Sequence, residues 1–379
     1  MRRLLPLLCG LLLAACGQRA ARPIGDFTLP VYTPRYASGF EITGAAGSHS
    51  TLVTVHNPWY GDEVTDQYLF IARDGEPAPA GFEGQVLRDE ARRVVCMSGS
   101  YIAMLDALGA ADRVVGVSGA QYLINETLRR RIARGEAADV GFDSNVDFER
   151  LMALRPDLVM LFGIGGADTA LTGKLRELGI PYLYMGEHCE ESPLGKSEWV
   201  VVAAEIAGLR TEGSRLFAAI PERYERLRAL AQQTAARPRV MLNTPYRDTW
   251  FMPARNSYMV RLLEDAGARY VFEENTATQT LPIDIEQAYY LTSKSDFWLN
   301  VSGCNTLDEV RRQNPRLADT PPVREGRVYD NNRRRNAAGG SDFWESGVLR
   351  PDRVLADLVH IFHPELSETD ELYYYRQLE

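Results

Sequence analysis

The sequence predicts an α/β protein of two Rossmann-like lobes with parallel sheets, joined by a single long helix and preceded by an N-terminal β extension. Three observations carry this prediction. Strands alternate with helices from residue 92 onward, the alternation restarts at residue 239, and a long charged helical stretch separates the two runs. Strands that alternate with helices at this spacing form parallel sheets covered by helices.

The chain begins like an exported lipoprotein. Two arginines precede an apolar run that is too short to span a bilayer and that ends in Leu13-Ala14-Ala15-Cys16. This arrangement resembles the bacterial lipoprotein signal, whose cysteine receives the lipid; an ordinary signal peptide with a chance cysteine is the alternative. We expect residues 1–16 to be the signal and Cys16 to hold the mature protein to a membrane, in the periplasm or at the cell surface.

The composition limits the function classes. Hydrophobic residues make up 45% and charged residues 25%, which is ordinary for a packed protein. The formal net charge of −9 argues against nucleic acid as a partner. Cys9 is expected to leave with the signal and Cys16 to carry the lipid, so Cys96, Cys189 and Cys304 are the remaining thiols. Their wide spacing excludes a zinc finger and favours buried thiols.

The first elements form a β-rich extension over residues 17–91. Apolar and polar residues alternate at 40–42, 51–59 and 66–75, which predicts short antiparallel strands, and residues 76–85 read as a loop. The first α/β lobe follows over 92–195. Its predicted strands are 92–98, 112–118, 157–162 and 180–186, and its predicted helices are 100–110, 125–134, 147–154 and 169–179.

Helices predicted at 197–208 and 211–238 fill the inter-lobe segment 196–238, and Pro221 is a place where the second helix bends or restarts. The second lobe spans 239–366, with a tail at 367–379. Its predicted strands are 239–244, 268–273, 296–301 and 327–331, and its predicted helices are 257–267, 284–291, 307–313 and 351–362.

An internal echo relates the two lobes. VDFERLMALRPDLVM (146–160) and IDIEQAYYLTSKSDFWLN (283–300) both contain an acidic helix start followed by a buried strand. Asp147 and Asp284 are expected N-caps, and Glu149 and Glu286 fall in the first turn, where a carboxylate favours the helix dipole. The repeat indicates a duplication.

Four segments together are typical of one known family: RRVVCMSGSYIAMLDALGAADRVVGVS, VDFERLMALRPDLVM, GIPYLYMGEHCEESPLGKSEWVVVAAEIAG and WESGVLRPDRVLADLVHIFHPEL. They resemble the substrate-binding proteins of ABC importers for ferric siderophores, haem and cobalamin, and the resemblance covers roughly residues 92–366. It implies two lobes bridged by one helix and a ligand in the cleft with little domain closure. We expect no resident cofactor and no resident metal. The resemblance also implies that Glu149 and Glu286 dock into arginine pockets of a permease dimer; helix capping alone is the alternative.

The cleft is expected at the carboxyl ends of the strands. Aromatic side chains there would form flat apolar walls for a chelate, and the turn Arg333–Arg335 would contact carboxylate, phosphate or catecholate oxygens. The candidate ligand-binding residues are Ser98, Tyr122, Phe142, Tyr246, Trp250, Gln279, Asn331, Arg333 and Trp344.

The leading hypothesis is a monomeric, lipid-anchored binding protein for a metal chelate, either a ferric siderophore, haem or cobalamin, with an iron chelate favoured by the arginines. An exported α/β enzyme, a direct transition-metal-binding protein and a surface module built on the extension are the alternatives. The histidines are too scattered to predict a metal site, and no catalytic constellation is assembled by spacing. The segment 161–169 lacks the full dinucleotide-binding pattern.

Overall fold

The computed structural model describes residues 21–60, 64–163, 166, 169–246, 249–367 and 371–379. The predicted signal and Cys16 lie outside this range. Within it the chain forms three five-stranded sheets and one three-stranded sheet. The predicted architecture of two α/β lobes, a connecting helix and a β extension is confirmed.

The extension is a sheet whose strands follow one another in chain order. These strands are β1 (Leu29–Tyr32), β2 (Phe40–Gly44), β3 (Thr51–His56), β4 (Asp66–Ala72) and β5 (Gln85–Arg88). The first four pair antiparallel, as predicted, whereas β5 runs parallel to β4. The sequence did not predict β5, because four residues are too few to establish a period.

The first lobe is a parallel sheet in the order β10-β9-β6-β7-β8. Its strands are β6 (Val94–Cys96), β7 (Val114–Val117), β8 (Ala138–Asp139), β9 (Leu158–Phe162) and β10 (Tyr182–Met185). Its helices are α1 (Gly99–Ala107), α2 (Glu126–Ala133), α3 (Phe148–Leu154) and α4 (Ala170–Leu178).

Three helices connect the lobes: α5 (Pro193–Glu198), α6 (Val200–Ile206) and α7 (Arg210–Ala231). The 22-residue α7 continues through Pro221, which therefore neither ends nor restarts it. Ile220 and Tyr224 beside this proline are buried. We attribute the continuity to this packing, which compensates for the backbone hydrogen bond that proline cannot donate.

The second lobe has the sheet order β14-β11-β16-β17-β18 and a small antiparallel sheet, β12-β13-β15. The strands are β11 (Arg239–Leu242), β12 (Pro245–Tyr246), β13 (Thr249–Met252), β14 (Arg269–Tyr270), β15 (Leu281–Ile283), β16 (Phe297–Leu299), β17 (Val328–Asp330) and β18 (Arg376–Gln377). The helices are α8 (Tyr258–Asp265), α9 (Ile285–Ser293), α10 (Leu307–Gln313), α11 (Pro321–Arg324), α12 (Asp342–Glu345) and α13 (Pro351–Phe362).

The C-terminal residues belong to the second lobe, which corrects the predicted boundary at residue 366. Strand β18 pairs antiparallel with β17, and Tyr374 and Tyr375 are buried. The carboxylate of Asp357 on α13 accepts the backbone N–H groups of residues 373–375 at 2.6–3.0 Å. A two-residue edge strand has no period to detect in a sequence, so these residues read as a tail.

The two lobes share one strand order, in agreement with the predicted duplication. The sheet of the first lobe contains the order β10-β9-β6-β7, and that of the second contains β17-β16-β11-β14. In both, the strands that occupy equivalent places in the sheet also come in the same order along the chain. The acidic helices α3 and α9 precede the equivalent strands β9 and β16. Their N-caps are those predicted, since Asp147 accepts from the N–H of Arg150 and Asp284 from that of Gln287.

Buried glutamates attach the extension to the inter-lobe helices. Glu198 accepts the Tyr32 hydroxyl and the backbone N–H groups of residues 35–37 at 2.7–2.8 Å. Glu205 pairs with Arg73 at 2.9 Å and accepts the hydroxyl of Thr51. Because these carboxylates receive several charge-assisted hydrogen bonds at once, the extension is fixed to the lobes rather than tethered to them.

Side chains of the extension also cover the edge of the first lobe. Gln67 accepts the N–H of Tyr184 at 3.3 Å, and Gln85 accepts that of Tyr182 at 3.4 Å. Strand β10 is the outer strand of its sheet on this side. The two glutamines therefore satisfy backbone groups that an uncovered edge strand would leave exposed.

Within the described residues, none of the helices combines the length and apolar character that crossing a bilayer requires. The three cysteines in this part of the chain are free. Cys96 and Cys304 are buried, which confirms the predicted buried thiols at these two positions, whereas the thiol of Cys189 is half-buried.

Candidate functional site

A cavity of about 780 Å³ opens where the two lobes meet. Its volume falls in the range of small-molecule sites. Tyr60 from the extension, residues 189–191 after β10, and the loops of the second lobe form its walls. Four aromatic side chains line it: Tyr60, Phe251, Tyr258 and Trp344.

Three asparagines from neighbouring strand ends line the cavity; we call them the asparagine row. Asn243, Asn300 and Asn331 directly follow β11, β16 and β17, which are neighbours in the sheet. Adjacent strands lie about 4.8 Å apart, so the three residues start from neighbouring positions along one edge of the sheet. Asn243 and Asn300 adopt φ of 66° and 61°, a left-handed conformation that asparagine tolerates better than most residues.

Neutral polar side chains make up half of the remaining lining. They are Asn256, Ser257, Thr278, Gln279, Thr280 and Ser302. The Ser257 hydroxyl is buried and has no hydrogen-bond partner within the described ranges, although it occupies the N-cap position of α8. It therefore keeps unused hydrogen-bonding capacity beside the cavity.

A polar contact closes one side of the cavity across the lobes. The Nδ2 group of Asn256, at the start of α8, donates to Oε1 of Glu191, which follows β10. Both residues are exposed. This contact links the second lobe to the segment 189–191 without any buried hydrophobic surface, so it can break and re-form as a ligand enters.

The extension contributes Tyr60 to the same side. Its hydroxyl donates to the carbonyl of His188 at 2.7 Å, and the two rings meet edge to face at 5.9 Å. Burial raises the pKa of Tyr60 to about 12, so the phenol is a neutral donor. Burial also lowers the pKa of His188 to about 4, so its imidazole is neutral.

Buried charges lie behind the cavity wall. Glu187 accepts the Ser100 hydroxyl at 2.9 Å, and burial raises the pKa of Glu187 to about 7. Lys196 lies 4.2 Å from the ring centroid of Tyr258, and burial lowers its pKa. The positive charge of Lys196 favours the ionised form of Glu187, and the negative charge of Glu187 favours the protonated form of Lys196. The two groups therefore act as a pair behind the aromatic wall.

Three of the nine predicted ligand residues line the cavity: Gln279, Asn331 and Trp344. Tyr122 and Phe142 meet at a centroid distance of 6.2 Å and are exposed on the first lobe. They do not line this cavity.

Two further predicted residues lie elsewhere. Ser98 is the N-cap of α1 and accepts from the N–H of Ser100. Tyr246 is 66% exposed on β12. Neither residue is part of the cavity wall.

Two predicted ligand contacts are corrected. Trp250 is 1% exposed, donates its indole N–H to the Leu242 carbonyl at 2.9 Å and packs on Trp298, so it is a core residue. Arg333 pairs with Glu371 at 2.9 Å and is not in the cavity wall. The prediction that this arginine turn faces the ligand is therefore not supported by its position.

The two glutamates with a predicted docking role are both exposed, each in the first turn of its helix. Glu286 pairs with Arg316 at 3.1 Å, and both side chains remain largely in solvent. Their exposure leaves the docking role as a prediction.

The sequence reasoning missed the asparagine row and Tyr60. A signal for the row exists in the sequence, since the strands predicted at 239–244, 296–301 and 327–331 each carry an asparagine at their last or next-to-last position. No comparable signal marks Tyr60. Only the packing of the extension against residues 187–191 brings it to the cavity.

Comparisons with known proteins agree with this architecture. The family model described as periplasmic binding protein matches residues 94–333. Two uncharacterized lipoproteins of Methanocaldococcus jannaschii are 25% and 22% identical over 332 and 330 residues. These alignments cover 82% and 83% of this chain and 77% and 81% of the relatives.

Solved structures share the fold at low identity. A periplasmic heme-binding protein from Pseudomonas aeruginosa has a TM-score of 0.59 and 19% identity over 76% of this chain and 98% of its own. The heme-binding protein RhuT from Roseiflexus sp. RS-1 has a TM-score of 0.56 and 20% identity over 73% of this chain and 100% of its own. An ABC-type Fe3+-hydroxamate transport system protein from Saccharomonospora viridis has a TM-score of 0.53 and 17% identity over 72% of this chain and 94% of its own.

Proposed function

Because the chain belongs to the periplasmic binding protein family, we propose that it is a lipid-anchored substrate-binding protein of an ABC importer. It captures a metal chelate in the cleft between its lobes and delivers it to the permease dimer. The chelate is cargo, and the protein itself needs no resident cofactor.

The cavity lining is the observation that carries this proposal. Aromatic walls and neutral amides surround about 780 Å³, which suits an organic ligand with flat surfaces and peripheral polar groups. Within the described ranges, no group of three or more His, Cys, Asp or Glu side chains could hold a metal ion. A chelate arrives with its metal already coordinated, so it requires only walls and oriented donors.

The relatives favour this function over the alternatives. The family and the solved neighbours are solute-binding proteins rather than enzymes. Three neighbours are named for haem or for Fe3+-hydroxamate transport. These names support a chelate as the ligand class in this chain too, ahead of a bare metal ion.

The anchor and the partner follow from the same proposal. Cys16 holds the lipid, which keeps the protein near its importer, and the two curated relatives are named lipoproteins. Glu149 and Glu286, one exposed carboxylate on each duplicated lobe, contact the two halves of the permease. A monomer suffices for this arrangement.

Titration of the delipidated protein with haem, cobalamin and ferric siderophores tests the proposal. Trp344 lines the cavity and is 55% exposed, so its fluorescence should be quenched on binding. A Trp344→Phe variant, which loses this reporter but keeps an aromatic wall, identifies the quenching as local. Native mass spectrometry of protein from its own host should show a bound chelate. Tight binding of bare zinc without any chelate binding would contradict the proposal.

A further inference from the structure

The charge pattern of the cavity bears on which chelate it takes. We propose that the ligand is a neutral or cationic metal chelate with amide or hydroxamate groups on its surface, and that polyanionic chelates are rejected. This inference rests on the proposed function and names the substrate class of the same cleft.

The asparagine row supplies matched neutral hydrogen-bonding groups. Nδ2 of Asn243 donates to the Phe251 carbonyl at 3.1 Å, which leaves its Oδ1 as an acceptor. Oδ1 of Asn300 accepts from the Tyr375 hydroxyl at 3.1 Å, which leaves its Nδ2 as a donor. The Asn331 side chain has no hydrogen-bond partner among the described residues. Neighbouring acceptor and donor groups complement the C=O and N–H edges of amides.

Carboxylates are the charged groups in the wall. Glu191 is exposed there, and its partner is the neutral amide of Asn256, which leaves its negative charge uncompensated. Glu190 is buried, and the donors that reach it among the described residues are neutral; they include Ser38 and the Trp199 indole.

The described residues of this wall supply no cation to balance the carboxylates. In the part of the chain that the structure describes, no lysine, arginine or histidine lines the cavity. Lys196 lies behind Tyr258 and faces the negative charges of Glu187 and Glu190, which offset it.

The nearby basic turn does not change this balance. Arg333 pairs with Glu371 and Arg334 pairs with Asp342, so both guanidinium groups already have carboxylate partners. Arg335 is exposed, and none of the three lines the cavity. A trianionic chelate would have to lose water against Glu191 without gaining a cation, which is unfavourable, whereas a neutral or cationic chelate meets no such repulsion.

A panel of chelates that differ in charge tests this inference. The delipidated protein would be titrated with a cationic and a neutral ferric trihydroxamate, neutral cyanocobalamin, iron protoporphyrin with its two propionates, and a trianionic ferric tricatecholate. We expect at least one neutral or cationic chelate to bind tenfold or more tightly than either anionic one. Added salt should narrow this difference, since it screens the Glu191 carboxylate.

Charge reversal at Glu191 gives a sharper measurement. Glu191→Lys should strengthen binding of the tricatecholate relative to the best neutral chelate by about tenfold, and Glu191→Gln, which keeps a polar partner for Asn256, should act in the same direction by less. Glu177→Lys on α4 makes the same change in net charge at an exposed position outside the cavity wall and should leave the ratio unchanged.

The outcomes separate the two proposals. A tricatecholate or protoporphyrin that binds as tightly as every neutral chelate would overturn the charge inference and leave the chelate-binding function in place. Equal effects of Glu191→Lys and Glu177→Lys would also overturn it. If no chelate of any charge binds, the proposed function fails and the inference fails with it.

Discussion

The carboxylate of Glu345 accepts the backbone N–H of Asn125 at 2.6 Å, across the boundary between the two lobes. It also accepts the N–H of Ile124 at 2.9 Å. Nearby, Asn336 donates to the carbonyls of Gln121 and Leu123. The loop before α2 in the first lobe is therefore held by side chains from the second, which limits how far the lobes can separate.

Glu345→Gln should remove part of the pH dependence of stability. Burial, with Asp342 and Asp106 nearby, raises the pKa of Glu345 from its ordinary value of 4.5 to about 7. Between these values the folded protein holds a proton that the unfolded chain has released, so stability should fall as pH rises from about 4.5 to about 7. This carboxyl contributes a slope of up to about 1.4 kcal/mol per pH unit.

Urea unfolding of both proteins at several pH values checks this prediction. Glu187 titrates in the same range, so the difference between the two proteins is the relevant quantity. Glu126→Gln, at an exposed position in α2, is the control. Identical slopes for wild type and Glu345→Gln would show that this carboxyl does not titrate as expected.

Reversing both proposed docking charges should stop transport without weakening ligand binding. Glu149→Arg with Glu286→Arg would replace attraction to the permease by repulsion, while the cavity lies elsewhere. The matched control is Glu126→Arg with Asp308→Arg, which changes two exposed carboxylates in the first turns of α2 and α10. Uptake of labelled chelate and its affinity would be measured for both double variants. Equal uptake in both would contradict the docking role.

Cys16→Ala should abolish lipid attachment and release the protein from the membrane. The thiol of this residue is the expected acceptor of the lipid, and no other cysteine follows the small residues that mark the cleavage site. Labelling with a radioactive fatty acid and fractionation of the cells would measure both effects. Acyl label on the variant would refute the assignment.

Glu198→Ala should destabilise the protein by roughly 3 kcal/mol or more, because the half-buried Tyr32 hydroxyl and three backbone N–H groups would lose their charged acceptor. Thermal unfolding provides the measurement. Glu222→Ala, at an exposed position on α7, is the comparison. Similar melting temperatures for the two variants would mean that the extension does not depend on this carboxylate.

Tyr60→Ala should weaken chelate binding by about tenfold, since an aromatic wall of the cavity is lost. Tyr60→Phe keeps the wall and removes only the hydrogen bond to His188, so its effect should be smaller. Tyr68→Ala, at an exposed tyrosine of β4 outside the cavity wall, controls for changes in the extension. Unchanged affinity in Tyr60→Ala would show that the extension takes no part in ligand binding.

Local signals made much of the fold predictable. The alternation of strands and helices and the N-caps Asp147 and Asp284 depend on residues close in sequence, and the structure confirms them. The two residues wrongly predicted to contact the ligand are placed by partners that are distant in the sequence. The sequence suggests that Arg333 is an unpaired cation, but in the structure it bonds to Glu371, 38 residues further along the chain. The sequence suggests that Trp250 is an aromatic residue of a loop, but in the structure it lies in β13, which pairs with β15, and it is buried.

The site was less predictable than the fold for the same reason. Gln279, Asn331 and Trp344 were found because each follows a strand or lies in a loop at the expected edge. Tyr60 comes from a part of the chain with no recognisable role in the sequence. Its contact with His188 is 128 residues distant along the chain.

The closing strand β18 sets the order in which the molecule can be completed. The extension and the first lobe lie in one continuous stretch of chain, so they can fold while later residues are still being synthesised. The second lobe cannot, because β17 pairs with residues 376–377 and Tyr375 fills its core. Until these residues arrive, the open edge of β17 is available for wrong pairing, so the second lobe is the part that chaperones would have to protect.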